Sequence, residues 1–414
     1  MTNTTQVTSA PAPSRSQMAL WALTSLFFMW GFITALNDIL IPHLKALFDL
    51  SYTQAMLVQS CFFGAYFLVS VPAGKLVSSI GYQRGISIGL CTAAVGCILF
   101  IPSAIFTQYW MFLGALFVLA SGITLLQVAA NPLVTLMGDP KTASSRLTMT
   151  QAFNSLGTTI APIIGGILLF GAGEHIAADA DADAVKVPYL VLATVLVLLA
   201  LVMAKVPLPE NQTSNDSHSN NQSSLSALKH RHLSLGVVGI FLYVGAEVAI
   251  GSFLVNYFGL TNIMGMSEGQ ASTYIAYYWG GAMVGRFIGA AVMQKVAAGK
   301  LLAFNAVASC SLILLSVMSS GPLAMWSILA VGLCNSIMFP TIFSLALKDL
   351  NNQTAQASGL LCLAIVGGAI IPLLQGVIAD IFGVQLSFLL PLLCYLFIGY
   401  YGLRGSKPQT SAAQ

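Results

Sequence analysis

The sequence predicts an all-α membrane protein of twelve spanning helices in two pseudo-symmetric six-helix halves, and three observations predict it. The 414 residues are 57% hydrophobic and only 7% charged, with a mean hydropathy of +0.84, whereas soluble domains carry roughly 25% charged residues. Such a composition cannot coat a water-facing surface, but lipid asks for apolar side chains outside. Apolar runs of the roughly 20 residues that a span requires recur along the chain, and one long polar stretch divides them six and six. The net charge of +3 carries no argument for nucleic acid, and none is expected as a partner.

The elements follow in order. Residues 1–18 form a polar tail, and the first apolar run covers 19–42. That run is too long for a signal-peptide core, no A-x-A site closes it and Asp38 interrupts it, so it is a retained first helix. Further runs lie near 54–73, 85–104, 109–136, 147–170 and 187–206, and together they make an N-terminal bundle over 19–206. Residues 207–232, rich in Asn, Ser and Gln, read as a flexible linker. The second set lies near 234–258, 270–293, 301–319, 322–346, 357–379 and 384–403, a C-terminal bundle over 233–404 with a tail at 405–414.

Basic residues fix the orientation. With both termini cytoplasmic, the inner segments hold Arg15, Lys75, Arg84, Lys141, Arg146, Lys205, Lys229, Arg231, Lys295, Lys300, Lys348, Arg404 and Lys407. The outer segments hold Lys45 and Lys186, and Arg286 falls inside a helix. This is a strong positive-inside pattern, and it predicts a multi-pass protein of a bacterial inner membrane. The loop carrying Glu174, Asp179, Asp181 and Asp183 is then external and solvated. All seven cysteines fall in apolar stretches without a CxxC pair, so neither a disulfide framework nor a zinc site is expected.

The halves echo each other. Gly74-Lys75 with Arg84 parallels Gly285-Arg286 with Lys295, and Asn131-Pro132 parallels Phe339-Pro340. Ala161-Pro162 with Gly165-Gly166 parallels Gly367-Gly368 with Ile371-Pro372. Matching Gly/Pro breaks in two halves point to a transporter built from repeats. Gly281, Gly285 and Gly289 make a small face that permits close helix approach.

Polar groups are costly in a spanning helix and mark candidate sites. Trp30, Thr34, Asn37 and Asp38 share one face of the first helix. Asp38 is the one carboxylate deep in the first half, which suits a cation-coupling group. Gln127 and Asn131 in the fourth run, and Gln151 and Asn154 in the fifth, offer amide donors and acceptors to an uncharged, polyhydroxylated ligand. In the second half Glu247, Tyr278, Asn335 and Phe339 are cavity candidates, with Phe153 a packing partner from the first half, while Arg84 and Arg286 are assigned gating or structural work. Tyr274, Tyr277 and Trp279 also fit an interfacial belt. The basic run Lys229 to His232 reads as an orientation signal. The sequence shows no Walker A motif, no HExxH and no nucleophile–base pair that would support hydrolysis, so neither ATP drive nor hydrolysis is expected and the chain is not read as an enzyme.

The stretches Met29 to Phe32, Leu36 to Pro42, Phe62 to Phe67, Ala129 to Pro132, Gln151 to Gly157 and Ser336 to Phe343 run in order through both halves. In them the chain resembles the fucose–proton symporter family of the major facilitator superfamily, within it the glucose/galactose transporter branch. The resemblance implies two six-helix bundles, a central sugar site and alternating access. It implies that Asp38 matches a proton-carrying aspartate and that Gln151 and Asn154 match sugar-contacting amides. Gln127 stands where the fucose symporter has a glutamate. Gln does not titrate, so Asp38 with neutral oxygens also suits Na+, and the substitution favours a hexose over fucose.

The expectation is therefore a monomeric importer of neutral hexose, glucose or galactose, coupled to Na+ or H+ and holding no cofactor. N-acetylglucosamine or L-fucose is the alternative substrate, and a non-transporting sugar sensor is the alternative of another class.

Overall fold

The computed structural model describes backbone at 15–47, 52–170, 186–206 and 224–408; the side chains of 15–17, 36–60, 162–170 and 224–225 fall outside the description. The acidic external loop and most of the linker also lie outside the described residues. Among the described residues every regular element is helical. That follows from a lipid solvent, in which each backbone N–H and C=O must be satisfied within the segment.

The first half contains α1 (Arg15–Leu47), α2 (Tyr52–Ile80), α3 (Tyr82–Phe106), α4 (Tyr109–Leu136), α5 (Ala143–Phe170) and α6 (Lys186–Lys205). The second contains α7 (Arg231–Gly259), α8 (Glu268–Val292) and α9 (Ala298–Met318), then three passes broken into shorter pieces. These are α10 (Gly321–Asn335) with α11 (Met338–Ala346), α12 (Thr354–Leu363) with α13 (Gly367–Phe382), and α14 (Val384–Ser387) with α15 (Leu389–Tyr400). Among the described residues ten passes are long and apolar enough to cross a membrane. α5 and α8, which carry many of the polar candidates, complete the twelve.

The continuous run expected at 322–346 is thus two helices. Pro340 has no N–H for the carbonyl of Ser336, four residues earlier, and the ladder stops there. The run at 357–379 breaks likewise through a 3-10 turn at Ala364–Val366, just ahead of Gly367-Gly368 and Pro372. In the first half α4 stays helical through Pro132, so the two halves echo in sequence without breaking alike. At the end of the stretch read as a linker, Ser224–Lys229 is a 3-10 turn and α7 starts at Arg231.

Small residues set equivalent crossings within each half. A Cβ on Gly157 of α5 would stand 2.2 Å from the Phe28 carbonyl oxygen of α1. One on Gly367 of α13 would stand 2.0 Å from the Phe241 carbonyl oxygen of α7. Only glycine lets these backbones touch. The Gly285 and Gly289 face of α8 receives Ser336 and Ile337, the two residues between α10 and α11.

The halves meet at the end carrying the α2–α3, α4–α5, α8–α9 and α11–α12 connections. There the hydroxyls of Ser144 and Ser344 lie 2.6 Å apart. Ser145 donates to the Ala290 carbonyl at 2.6 Å, and Ser358 donates to the Val128 carbonyl at 2.8 Å. All four serines are buried.

Candidate functional site

The polar candidates gather in two clusters, one in each half. In the first half the register of α4 against α5 is set by Arg146, whose guanidinium donates to the carbonyls of Val134 (3.4 Å) and Thr135 (3.1 Å). The helices are antiparallel, so Asn131 lies at about the depth of residues 149–150, and Gln127 at about that of Phe153 and Asn154. Gln127 and Gln151 are both 6% exposed, and Asn131 is fully buried. Among the described residues Gln127 Oε1, both side-chain polar atoms of Asn131, Thr148 Oγ1 and Gln151 Nε2 have no hydrogen-bond partner. Buried amides are normally satisfied. These unpartnered donors and acceptors are uncharged throughout, a chemistry that suits a neutral polar ligand or water.

Asn154 is placed differently. Its Nδ2 donates to the Phe27 carbonyl of α1 at 2.9 Å, which leaves its Oδ1 as the acceptor available to a ligand. Trp30 is buried with its ring 5.3 Å from that of Phe27, and Thr34 bonds back to the Trp30 carbonyl at 3.0 Å. α1 runs on through Asn37 and Asp38, whose side chains lie outside the described residues.

In the second half, Asn335 donates from Nδ2 to the Tyr278 hydroxyl at 2.8 Å. That hydroxyl donates to the Glu247 carbonyl at 3.2 Å, and the Tyr243 hydroxyl reaches the Asn335 carbonyl at 3.1 Å. Asn335 Oδ1, Glu247 Oε1 and the Tyr395 hydroxyl have no partner among the described residues. Tyr278 thus turns inward, while Tyr277 and Trp279 beside it are exposed on the outer surface. Phe339 is half-buried, with its ring 5.7 Å from Phe343.

The two candidate arginines part company. Arg84 is exposed on the first turn of α3. Arg286 lies at the boundary between the halves: Nε donates to the Ser336 carbonyl at 3.2 Å, and an NH group donates to Ser155 of α5. Phe153 and Phe287 meet edge-on beside it at 5.8 Å. Sequence reasoning missed Thr148, Ser155, Tyr243, Tyr395 and Phe287. The first two were legible in principle, since Thr148 and Ser155 stand at helical spacing from Gln151. It also passed over Arg146, which ties the α4–α5 connection through Asp139 and Thr142.

Two helical halves meeting over polar midsections define a membrane carrier of related repeats. The defining pattern of the Major Facilitator Superfamily matches residues 21–365. The glucose/galactose transporter of Brucella abortus biovar 1 (strain 9-941) is 57% identical over 406 residues, 98% of each chain. The L-fucose-proton symporter of Escherichia coli (strain K12) is 34% identical and is covered for 95% of its length, with 96% of this chain matched. A solved Major Facilitator Superfamily transporter, FucP, in the outward conformation superposes with a TM-score of 0.87 at 33% identity, covering 94% of this chain and 98% of that one. The chain belongs to the Major Facilitator Superfamily, in the fucose-symporter family and its glucose/galactose branch. It is a membrane transporter, not an enzyme.

Proposed function

We propose that this protein imports a neutral hexose, glucose or galactose, by symport with a cation through alternating access. The observation that carries this reading is the uncharged amide layer of Gln127, Asn131 and Gln151, buried and unpartnered among the described residues. Amides pair with sugar hydroxyls as donors and acceptors alike. An acidic or basic substrate would leave a charge facing neutral groups, at high cost in a low-dielectric site. Similarity to glucose/galactose transporters supports the same substrate class.

Asp38 carries or coordinates the cation, and Gln127, Gln151, Asn154 and Asn37 bind hydroxyls. Similarity to proton symporters supports H+ as the coupling ion. Gln127, a neutral oxygen ligand near the sugar layer, is the feature that keeps Na+ as the competing ion. With both termini cytoplasmic, the closed end is the cytoplasmic one and the carrier faces outward as a monomer. One cation per neutral sugar moves one charge, a drive of about 2.3 kcal/mol per 100 mV.

The deciding experiment is uptake of labelled glucose and galactose into proteoliposomes under a sodium or a proton gradient imposed separately. Accumulation under one gradient, lost with Asp38→Asn while exchange persists, is the expected result. Full accumulation by Asp38→Asn would remove Asp38 from coupling. Absence of uptake of either sugar under both gradients would overturn the substrate assignment.

A further inference from the structure

The Arg286 guanidinium has partners in both halves. On its own side it holds the Ser336 carbonyl, the one that Pro340 deprives of a helical donor. On the other side it donates to Ser155. Ser155 stands on the same two turns of α5 as Gln151 and Asn154, and Phe153 adds an edge contact to Phe287, the residue after Arg286. One short segment of α5 therefore carries both the sugar-facing amides and the contacts that shut the boundary.

Alternating access must break the Arg286–Ser155 contact. Parting leaves the guanidinium with the Ser336 carbonyl and frees the N–H donors that faced Ser155, which a carboxylate of the same half would take up as a charge-assisted bond. Glu247 of α7 lies one turn beyond Tyr243, whose hydroxyl donates to the Asn335 carbonyl, the neighbour of the Ser336 carbonyl that Arg286 holds. Its Oε1 is sealed from solvent and has no hydrogen-bond partner among the described residues. Its other ionisable neighbours, Tyr243, Tyr278 and Tyr395, are phenols that offer no countercharge. The helices α10, α11 and α12 carry no charged residue. Two arrangements of one cation, a hydroxyl across the boundary or a carboxylate within the half, make a bistable element of the kind that turns small shifts into switching.

We infer that Arg286 is the positioning residue that links sugar engagement to closure of the boundary: it latches onto Ser155 in the closed state and transfers to Glu247 when the halves part. The inference rests on the reading of the chain as an alternating-access carrier and deepens it by naming the latch.

The test uses the full chain with its seven cysteines replaced and with Ser144→Cys and Ser344→Cys as reporters, because those hydroxyls touch across the same boundary. Oxidative cross-linking without sugar reads the closed population. Arg286→Gln and Ser155→Ala each slow cross-linking by about tenfold, the loss of one charge-assisted hydrogen bond. Arg286→Lys recovers part of the rate, and Glu247→Gln keeps the parent rate or raises it, because the open state has lost its partner. Unchanged cross-linking in Ser155→Ala, a substitution too small to unfold the chain, would overturn the latch, as would slower cross-linking in Glu247→Gln. Sugar is absent throughout, so failure of the hexose assignment leaves this result standing, and failure of the latch leaves hexose uptake intact.

Discussion

Ser358 of α12 donates its hydroxyl to the Val128 carbonyl of α4, 2.8 Å away in the opposite half. That carbonyl is free because Pro132, four residues on, has no N–H to give it. Pro340 does the same for Ser336, whose carbonyl goes to Arg286. Each half thus uses a proline to release a carbonyl at the boundary, which a hydroxyl of the opposite half takes at Val128 and Arg286 of the same half takes at Ser336. Ser358→Ala leaves the buried Val128 carbonyl unsatisfied only when the halves are closed, at a cost of about 1–3 kcal/mol. Spin-label distances between the α4–α5 and α11–α12 connections should show the population shift toward the parted state. An unchanged distance distribution would mean that the bond contributes nothing to closure.

Two glycines should fail in different ways. A Cβ on Gly359 would stand 2.6 Å from the Ser70 carbonyl oxygen and 3.2 Å from the Gly74 Cα, across the boundary. Gly359→Leu should therefore leave each half folded and its melting temperature near the parent's, while closure and net uptake are lost. Gly157 meets the Phe28 carbonyl within one half, so Gly157→Leu overpacks a core crossing and costs about 1–3 kcal/mol or more of stability. Thermal unfolding in detergent beside uptake separates the two. A Gly359→Leu protein that melts early would place that glycine with the fold rather than the gate.

Gln151 and Asn154 divide in the same manner. Gln151 Nε2 has no partner among the described residues, so if the amide binds sugar as proposed, Gln151→Ala should cost affinity and little stability. Loss of a hydrogen bond of about 0.5–1.5 kcal/mol raises KM by about two- to tenfold with stability unchanged. Asn154→Ala also removes the interhelical bond to the Phe27 carbonyl and should lower thermal stability as well as affinity. Sugar binding and unfolding measured on both variants check the split. Equal loss of stability in both would show Gln151 to be interhelical glue.

The number and order of the passes were legible because a lipid solvent demands apolar runs of one length, and composition alone reveals them. The amides were legible because a Gln or Asn at helical spacing in such a run stands out. The Gly/Pro pairs marked where the chain could break, but not that only the second half would, since a proline within an apolar run is tolerated at Pro132 and divides a helix at Pro340. The direction of Arg286 was also hidden. Its acceptors, Ser155 and the Ser336 carbonyl, are a small hydroxyl and a backbone atom that no composition or spacing singles out.

Gln127 separates the two coupling ions. It is neutral, and its Oε1 is buried without a partner among the described residues. If Asp38 is the coupling carboxylate, a carboxylate at 127 adds a second ionisable group in a site of amides. An ionised Gln127→Glu side chain must be desolvated, and if it shares a site with Asp38, like charges disfavour double ionisation. The variant should therefore work best when it is protonated. Its uptake rate should fall as pH rises, more steeply than the parent's, and added sodium should offset the fall only if the cation shared by the two carboxylates is sodium. Initial rates across the acid-to-neutral range, with and without sodium, check this. A parent-like pH profile in the variant would place residue 127 outside the coupling site and leave it to sugar recognition alone.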